Sequence, residues 1–326
     1  MTVTRIFRED DGDVSVLDGT SVAVVGYGNQ GRSWALNLRD SGLDVRVHAR
    51  ADESRRQAEQ EGFPAHEVAD ASSADVLCVL VPDDVIPLLD LAPRHDALTV
   101  VASGYTPAFG RFEPDGDIGM VAPRMLGPEV RRCYEEGVGF ITALGVHRDL
   151  SGNAWQRTLA VAKALGGLRQ GAIELTPHQE AVLDLAVEQA LSPALSHVNQ
   201  TFVNEMSARG IPLEAILTEL FLSGEVERTY RLLREEGYAR QLEHHSPTSQ
   251  YGQLSRRDAY AGIDLETTMH DLVEAIDDGS FADEWDAERD AGYANLAALK
   301  VQYAGPLVAE FEADLRKQLG GAASES

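Results

Sequence analysis

The chain has 326 residues, with 28 Lys and Arg against 53 Asp and Glu, for a formal net charge of −25. That length suits two domains with a sizeable core, and the charge argues against nucleic acid and anionic membrane as partners. Cys78 and Cys133 are too few for a disulfide framework, and no signal peptide or bilayer-length apolar stretch is recognised, so a cytoplasmic location is expected.

Residues 1–20 form a polar lead-in. Ser21–Val25 is an apolar run that reads as a strand, and Gly26-Tyr27-Gly28-Asn29-Gln30-Gly31 follows it directly. Arg32–Leu38 then has helical spacing. Gly26 permits the tight turn, Gly28 lets the backbone approach a pyrophosphate, and Gly31 lets helix and strand pack closely. A strand, this glycine pattern, a helix and a second strand at Asp44–His48 together predict a dinucleotide site at a helix N-terminus. Beyond the second strand, Arg50, Ser54 and Arg55 suit a ribose 2′-phosphate, because guanidinium groups bind phosphate in bidentate fashion. NADPH is therefore expected, with Asp52 and Glu53 keeping NADH open. Further strands are predicted at 75–81, 98–102, 118–122 and 138–145, with a helix at 151–165 and a last short strand after the turn Gly166–Gly171. This alternation implies a parallel sheet covered on both faces. Cys78, inside the apolar run Val76–Val81, is expected in the core.

The pattern changes at Thr176-Pro177-His178-Gln179, where an N-cap, a first-turn proline and a capping-box glutamine coincide. Only helices are predicted beyond, at 177–208 (kinked at Pro193), 212–236, 264–278 and 282–318, with Gly320–Ser326 as a disordered tail. The expected organisation is an α/β Rossmann-type domain over 1–174 and an all-α domain over 175–319. Asp184 and Glu188 lie four residues apart among apolar neighbours, so both project from one helical face. Carboxylates in such surroundings need water, a cation or an arginine, and oxygen ligands one turn apart suit Mg²⁺.

With these residues in view, the chain resembles the short class of ketol-acid reductoisomerases over nearly its whole length. The resemblance rests on Val22–Gly31, Leu80-Val81-Pro82-Asp83-Asp84-Val85, Met120-Val121-Ala122-Pro123, Asp184–Gln189 and Ser246–Gly252. It implies a second domain like the helical domain of 6-phosphogluconate dehydrogenase. It also implies NADPH, two Mg²⁺ ions, and reduction coupled to alkyl migration in an acetohydroxy acid. The family's site lies between its two domains and is completed by helices of a partner subunit, so a homodimer or higher homo-oligomer is implied. By position, Asp184 and Glu188 match the metal-holding acidic pair and Ser246 a substrate-contacting serine. Gly26–Gly31, Arg50, Ser54, Arg55, Val81, Pro82 and Asp83 match the cofactor site.

Three departures fall on the family's chemistry. Ser103, in Ala102-Ser103-Gly104-Tyr105, stands where the family has histidine. Arg124 stands where it has lysine, and Met125-Leu126-Gly127-Pro128-Glu129 replaces the following Gly-Pro-Gly-His. The partner helix's second glutamate pair is incomplete, falling on Glu219 and Ser223 or on Phe221 and Glu225 according to the register. Two adjacent Mg²⁺ ions need several anionic ligands, so a lost carboxylate argues against the second metal. Hydride transfer needs far less, one cationic or proton-donating group near the reacting oxygen.

The expectation is an NAD(P)H-dependent reductase of a small 2-keto or imino acid, without the migration step. Arg124 is expected to orient a substrate carboxylate or polarise the carbonyl, and Ser103 to donate a hydrogen bond or merely close a turn. Asp184 and Glu188 hold one Mg²⁺, or bind Arg124 or an amine-bearing substrate instead. Ser246 and Glu219 are the substrate-side candidates. His244 and His245 are expected to be loop residues. The alternatives are a working Mg²⁺-dependent reductoisomerase acting on 2-acetolactate, and an NADPH-binding protein without turnover.

Overall fold

The computed structural model describes residues 4–303 and 306–319, so the expected tail at 320–326 lies outside the described residues. The chain divides into two compact units, 1–185 and 186–326. The first is built on a nine-stranded sheet. Its strands are β1 (Ile6–Phe7), β2 (Ser21–Val25), β3 (Asp44–His48), β4 (Ala65–His66), β5 (Val76–Val79), β6 (Leu98–Val101), β7 (Asp117–Pro123), β8 (Thr142–Arg148) and β9 (Ala172–Glu174), in the spatial order β1-β9-β8-β7-β6-β5-β2-β3-β4.

Strands β4, β3, β2, β5, β6 and β7 run parallel. The all-parallel expectation fails beyond them, because β8 is antiparallel to β7, β9 follows β8, and β1 is antiparallel to β9. The cause is local. The helix after β7 is short (Gly127–Glu135), and Gly137 and Gly139, at φ +74° and +68°, turn the chain back toward the edge it has just left. Those glycines also use up the start of the strand expected at 138–145.

One sheet face is packed by three helices, α1 (Asn29–Asp40), α4 (Gly127–Glu135) and α5 (Ala154–Leu165), around fully buried Trp34, Leu38, Phe140 and Leu165. Two short helices complete the set to this point, α2 (Glu53–Gln60) and α3 (Tyr105–Ala108). On the opposite face Leu77, Val79, Ile86 and Met120 form a second core. Here the β4–β5 and β5–β6 connections are 3₁₀ turns, Val68–Ser73 and Ile86–Leu88. The first unit ends in α6 (Pro177–Ala186). Its capping box forms as the sequence predicts, with Gln179 N–H donating to Thr176 Oγ1 at 3.1 Å and Thr176 N–H to Gln179 Oε1 at 3.0 Å.

The second unit is helical throughout its described residues. It opens on a π-turn, Val187–Leu191, followed by α7 (Ser192–Ala208). Pro193 explains the π-turn, since it has no N–H for the ladder and crowds the preceding carbonyl. Ser192 N–H instead donates to Val187 O, five residues back. The predicted 212–236 helix is broken into α8 (Leu213–Leu217), a second π-turn (Thr218–Leu222) and α9 (Glu225–Glu236), with Gly224 at φ +76° between them. Two helices follow that periodicity did not reveal, α10 (Tyr238–Gln241) and α11 (Pro247–Arg256). After α12 (Leu265–Asp277), the predicted 282–318 helix is three: α13 (Ser280–Asp290), α14 (Ala294–Tyr303) and α15 (Pro306–Leu319). Gly292 and Tyr293, both at positive φ, separate the first two.

At the N-terminal edge of the parallel strands a polar knot ties neighbours together. Asp75 accepts from Ser21 N–H at 2.8 Å, Ser21 Oγ at 2.7 Å and Arg94 Nη2 at 2.6 Å. Arg157 donates to Asp75 O and Asp96 O, and Asp117 accepts from Leu150 N–H, Ser151 N–H and Ser151 Oγ. The hydrogen bond from Arg94, with those from Ser21, holds the Asp75 carboxyl below its ordinary 3.8, at about 2. A depressed carboxylate stabilises the fold fully above its unfolded value, and that contribution fades as the pH falls from 3.8 toward 2. After allowance for partial solvent screening, Asp75→Asn is expected to lower stability by roughly 1 kcal/mol at neutral pH. Urea midpoints for both proteins should differ at pH 7 and converge on acidification; a constant gap contradicts this account.

Candidate active site

Because β2, β5, β6 and β7 are parallel, Val25, Val79, Val101 and Pro123 all end at one edge of the sheet. From β2 the chain runs outward through β3 and β4, then crosses back to β5 on the other side. Such a reversal opens a crevice at the carboxyl ends of the strands. A cleft of about 360 Å³ lies there, lined by Gly28, Asn29, Gln30, Val81, Asp83 and Ser103, among others. Pro82 lines it too.

The glycine loop has the shape its sequence predicts. Gly26 is at φ +95°, and a Cβ there would come within 2.7 Å of Leu80 O. A Cβ on Gly31 would strike Gly26 O, whereas one on Gly28 would meet nothing, so the approach to the cleft is open. Gly28 caps α1, leaving its first N–H groups for a bound anion. Gln30 Nε2 donates to Met125 O at 3.2 Å, linking this loop to the segment after β7. The Tyr27 side chain is buried instead. Its hydroxyl donates to Glu61 Oε2 at 2.6 Å, and burial pushes its pKa well up.

Past β3 the predicted phosphate-binding residues separate in role. The Arg50 side chain is 87% exposed and 3.6 Å from Asp52. Ser54 gives its N–H to Asp52 Oδ1 at 3.0 Å, which caps α2. Arg55 is occupied elsewhere, donating to Ala49 O through Nε at 3.0 Å and to Glu67 Oε1 at 2.7 Å.

Beside the cleft lies an ionic cluster. Arg124 follows β7 immediately, its N–H held by Ile141 O at 3.0 Å. Its guanidinium spans two carboxylates of α6, with Nη1 2.5 Å from Glu180 Oε1 and Nη2 2.8 Å from Asp184 Oδ1. Glu180 is 2% exposed and accepts a further 2.6 Å bond from Gly104 N–H. Burial raises its carboxyl above the ordinary range, opposed by the Gly104 N–H and the guanidinium. A Cβ on Gly104 would collide with Pro177 O, so glycine there is what lets the Ser103–Tyr105 loop meet the start of α6. Ser103 lines the cleft, and its Oγ accepts from Tyr105 N–H at 3.2 Å, the turn role allowed for above. Sequence reasoning does not single out Glu180, which follows the polar capping box Thr176–Gln179, although its i, i+4 spacing with Asp184 is readable.

Glu188 lies in the second unit, on the Val187–Leu191 π-turn, a geometry that concentrates at functional sites. Glu219 is on the other π-turn, and Ser223 Oγ donates to its carbonyl at 3.4 Å. Glu225 opens α9. Ser246 caps α11, accepting Ser249 N–H at 3.3 Å, and His244 lies 2.8 Å from Glu236. Among the described residues no three His, Cys, Asp or Glu side chains gather where they could hold one metal ion.

Comparison with known proteins covers both units. The acetohydroxy acid isomeroreductase NADPH-binding domain matches residues 16–171, and the ketol-acid reductoisomerase C-terminal domain matches 178–320. The chain is 37% identical over 306 residues to ketol-acid reductoisomerase (NADP(+)) of Caldivirga maquilingensis, covering 91% of this chain and 93% of that protein. It is 35% identical over 317 residues to the enzyme of the same name from Renibacterium salmoninarum, covering 92% and 90%. The solved structure of an NADH-preferring ketol-acid reductoisomerase from an uncultured archaeon superposes with a TM-score of 0.88 at 28% identity, covering 96% of this chain and 98% of that one.

Gly31→Ala places a methyl group against a backbone carbonyl that cannot yield. Nucleotide affinity, read by quenching of protein fluorescence, is expected to fall about 10-fold or more, equivalent to about 1.4 kcal/mol. Unchanged affinity in a folded variant contradicts the assignment of the loop.

Proposed function

The chain belongs to the ketol-acid reductoisomerase family and is an NAD(P)H-dependent oxidoreductase, and from the Arg124 cluster we infer that it reduces a small 2-keto or imino acid without prior alkyl migration. One observation carries this reading. The cleft lined by the glycine loop ends at Ser103, and the next residue, Gly104, binds the carboxylate that holds Arg124. A nicotinamide bound in that cleft supplies the hydride.

Arg124 is held by two carboxylates, and its guanidinium is suited to a substrate carboxylate or carbonyl oxygen. Glu180 accepts the guanidinium on Oε1 and Gly104 N–H on Oε2, and so fixes Arg124 in place beside the cleft. Ser103 positions the loop between them. Migration needs cations that polarise hydroxyl and carbonyl together. The incomplete glutamate pair and the engagement of Asp184 by Arg124 both weigh against that step. NADPH is the favoured cofactor because Arg50 is exposed past β3, where a 2′-phosphate would lie. The free, buried cysteines suit a reducing cytoplasm.

A homo-oligomer is part of the same proposal. In the second unit Val198, Tyr251, Leu254 and Ile263 are each more than half exposed, side chains of the kind that subunit contacts cover. A second copy of this chain is the natural cover. Light scattering on a sizing column should return a dimer or larger particle; a monomer at micromolar concentration rules the oligomer out.

Reduced-nicotinamide absorbance should decline with a 2-keto or imino acid present, and 2-acetolactate should give no dihydroxy product. Arg124→Ala should lower kcat/KM by about 100-fold, near what loss of one oxyanion donor costs. Arg50→Ala should weaken NADPH by about 10-fold and leave NADH unchanged. Absence of turnover with every keto and imino acid refutes the reading, as does Mg²⁺-dependent conversion of 2-acetolactate.

A further inference from the structure

The residues of the acidic site do not fit a divalent cation. Asp184 Oδ1 receives Arg124 Nη2 at 2.8 Å, and Glu180 Oε1 receives Nη1 of the same group at 2.5 Å. Glu180 Oε2 is taken as well, by Gly104 N–H at 2.6 Å. A cation binding Asp184 would have to expel a guanidinium held by a buried carboxylate, or sit against it. Two positive centres at contact distance repel, and stripping the buried Glu180 carboxylate of its partner is costly.

We propose that Arg124 stands in the place of the divalent cation, so that this chain closes its acidic site with its own guanidinium and binds no Mg²⁺ there. The shape of the side chain makes this possible. Glu180 and Asp184 are one turn apart on α6, and a planar fork reaches both at once. The lysine that the family carries at this position is a compact point charge. It can satisfy Glu180 and leave Asp184 open. The bridge of positive charge across two carboxylates therefore comes with the arginine. The proposal extends the reading of the Arg124 cluster given above, but it concerns cation binding and is decided without turnover.

The test uses Mn²⁺, which Mg²⁺ sites accept, and its paramagnetic resonance signal, which collapses on binding. The full chain, stripped of metal by chelation, should leave the signal unattenuated with or without NADPH. Arg124→Lys should bind Mn²⁺ at least about 10-fold more tightly, and adding Asp184→Asn should abolish that gain. Arg124→Gln serves if the lysine variant does not fold, with the same expected gain. Equal uptake by the wild type and the position-124 variant, whether both bind or neither does, overturns the proposal. So does a gain that survives Asp184→Asn. Chelator-treated protein is assayed in parallel. If no keto or imino acid is reduced while the Mn²⁺ results hold, the substrate reading fails and the exclusion of the cation stands.

Discussion

A carboxylate at 2% exposure does not stand alone in a protein interior. The need to satisfy Glu180 organises the functional edge of this molecule. It draws Gly104 N–H inward, which sets the loop carrying Ser103 beside the cleft, and it fixes Arg124 at the end of β7. It also docks α6 against the sheet, and Gly104 is the residue small enough to allow the approach. Three segments distant in sequence, 102–105, 123–125 and 177–184, converge on one group. Removal of Arg124 would leave the buried Glu180 carboxylate without its cation, so a change at position 124 bears directly on Glu180.

Much of the fold was legible because its signals are local. The strand, glycine loop and helix at 21–38 can be read from that short stretch alone, and so can the capping box at Thr176. Features that depend on tertiary context were not legible. The reversal of β8 follows from two glycines that adopt positive φ only after α4 has ended early. The break between α8 and α9 follows from Gly224 in the same way. Periodicity joined those helices because apolar spacing continues across a turn that backbone geometry forbids.

The site shows the same division. Arg124 was readable as a departure, because a guanidinium in place of an ammonium changes geometry as well as charge. Its partners were only half readable. The acidic pair stood out as Asp184 and Glu188, yet the pair that one guanidinium spans is Glu180 and Asp184. Identical spacing on one helix offered both choices. Burial decided between them, and burial of a single carboxylate is a property of the folded neighbourhood. Arg50 and Arg55 likewise look equivalent in sequence, and only the placement of Ala49 O and Glu67 separates an anchored arginine from an exposed one.

The polar knot around Asp75, Asp117 and Arg157 lies at the edge of the sheet opposite the cleft. The polar knot and the cleft thus lie at opposite ends of the same strands. A lineage built this way can exchange the residues of one end without loosening the other. Residues 103, 124 and 125–129 all lie just past the carboxyl ends of β6 and β7. A change of side chain at that end requires little compensating change in the scaffold, which makes such a fold a ready starting point for new catalytic specificity.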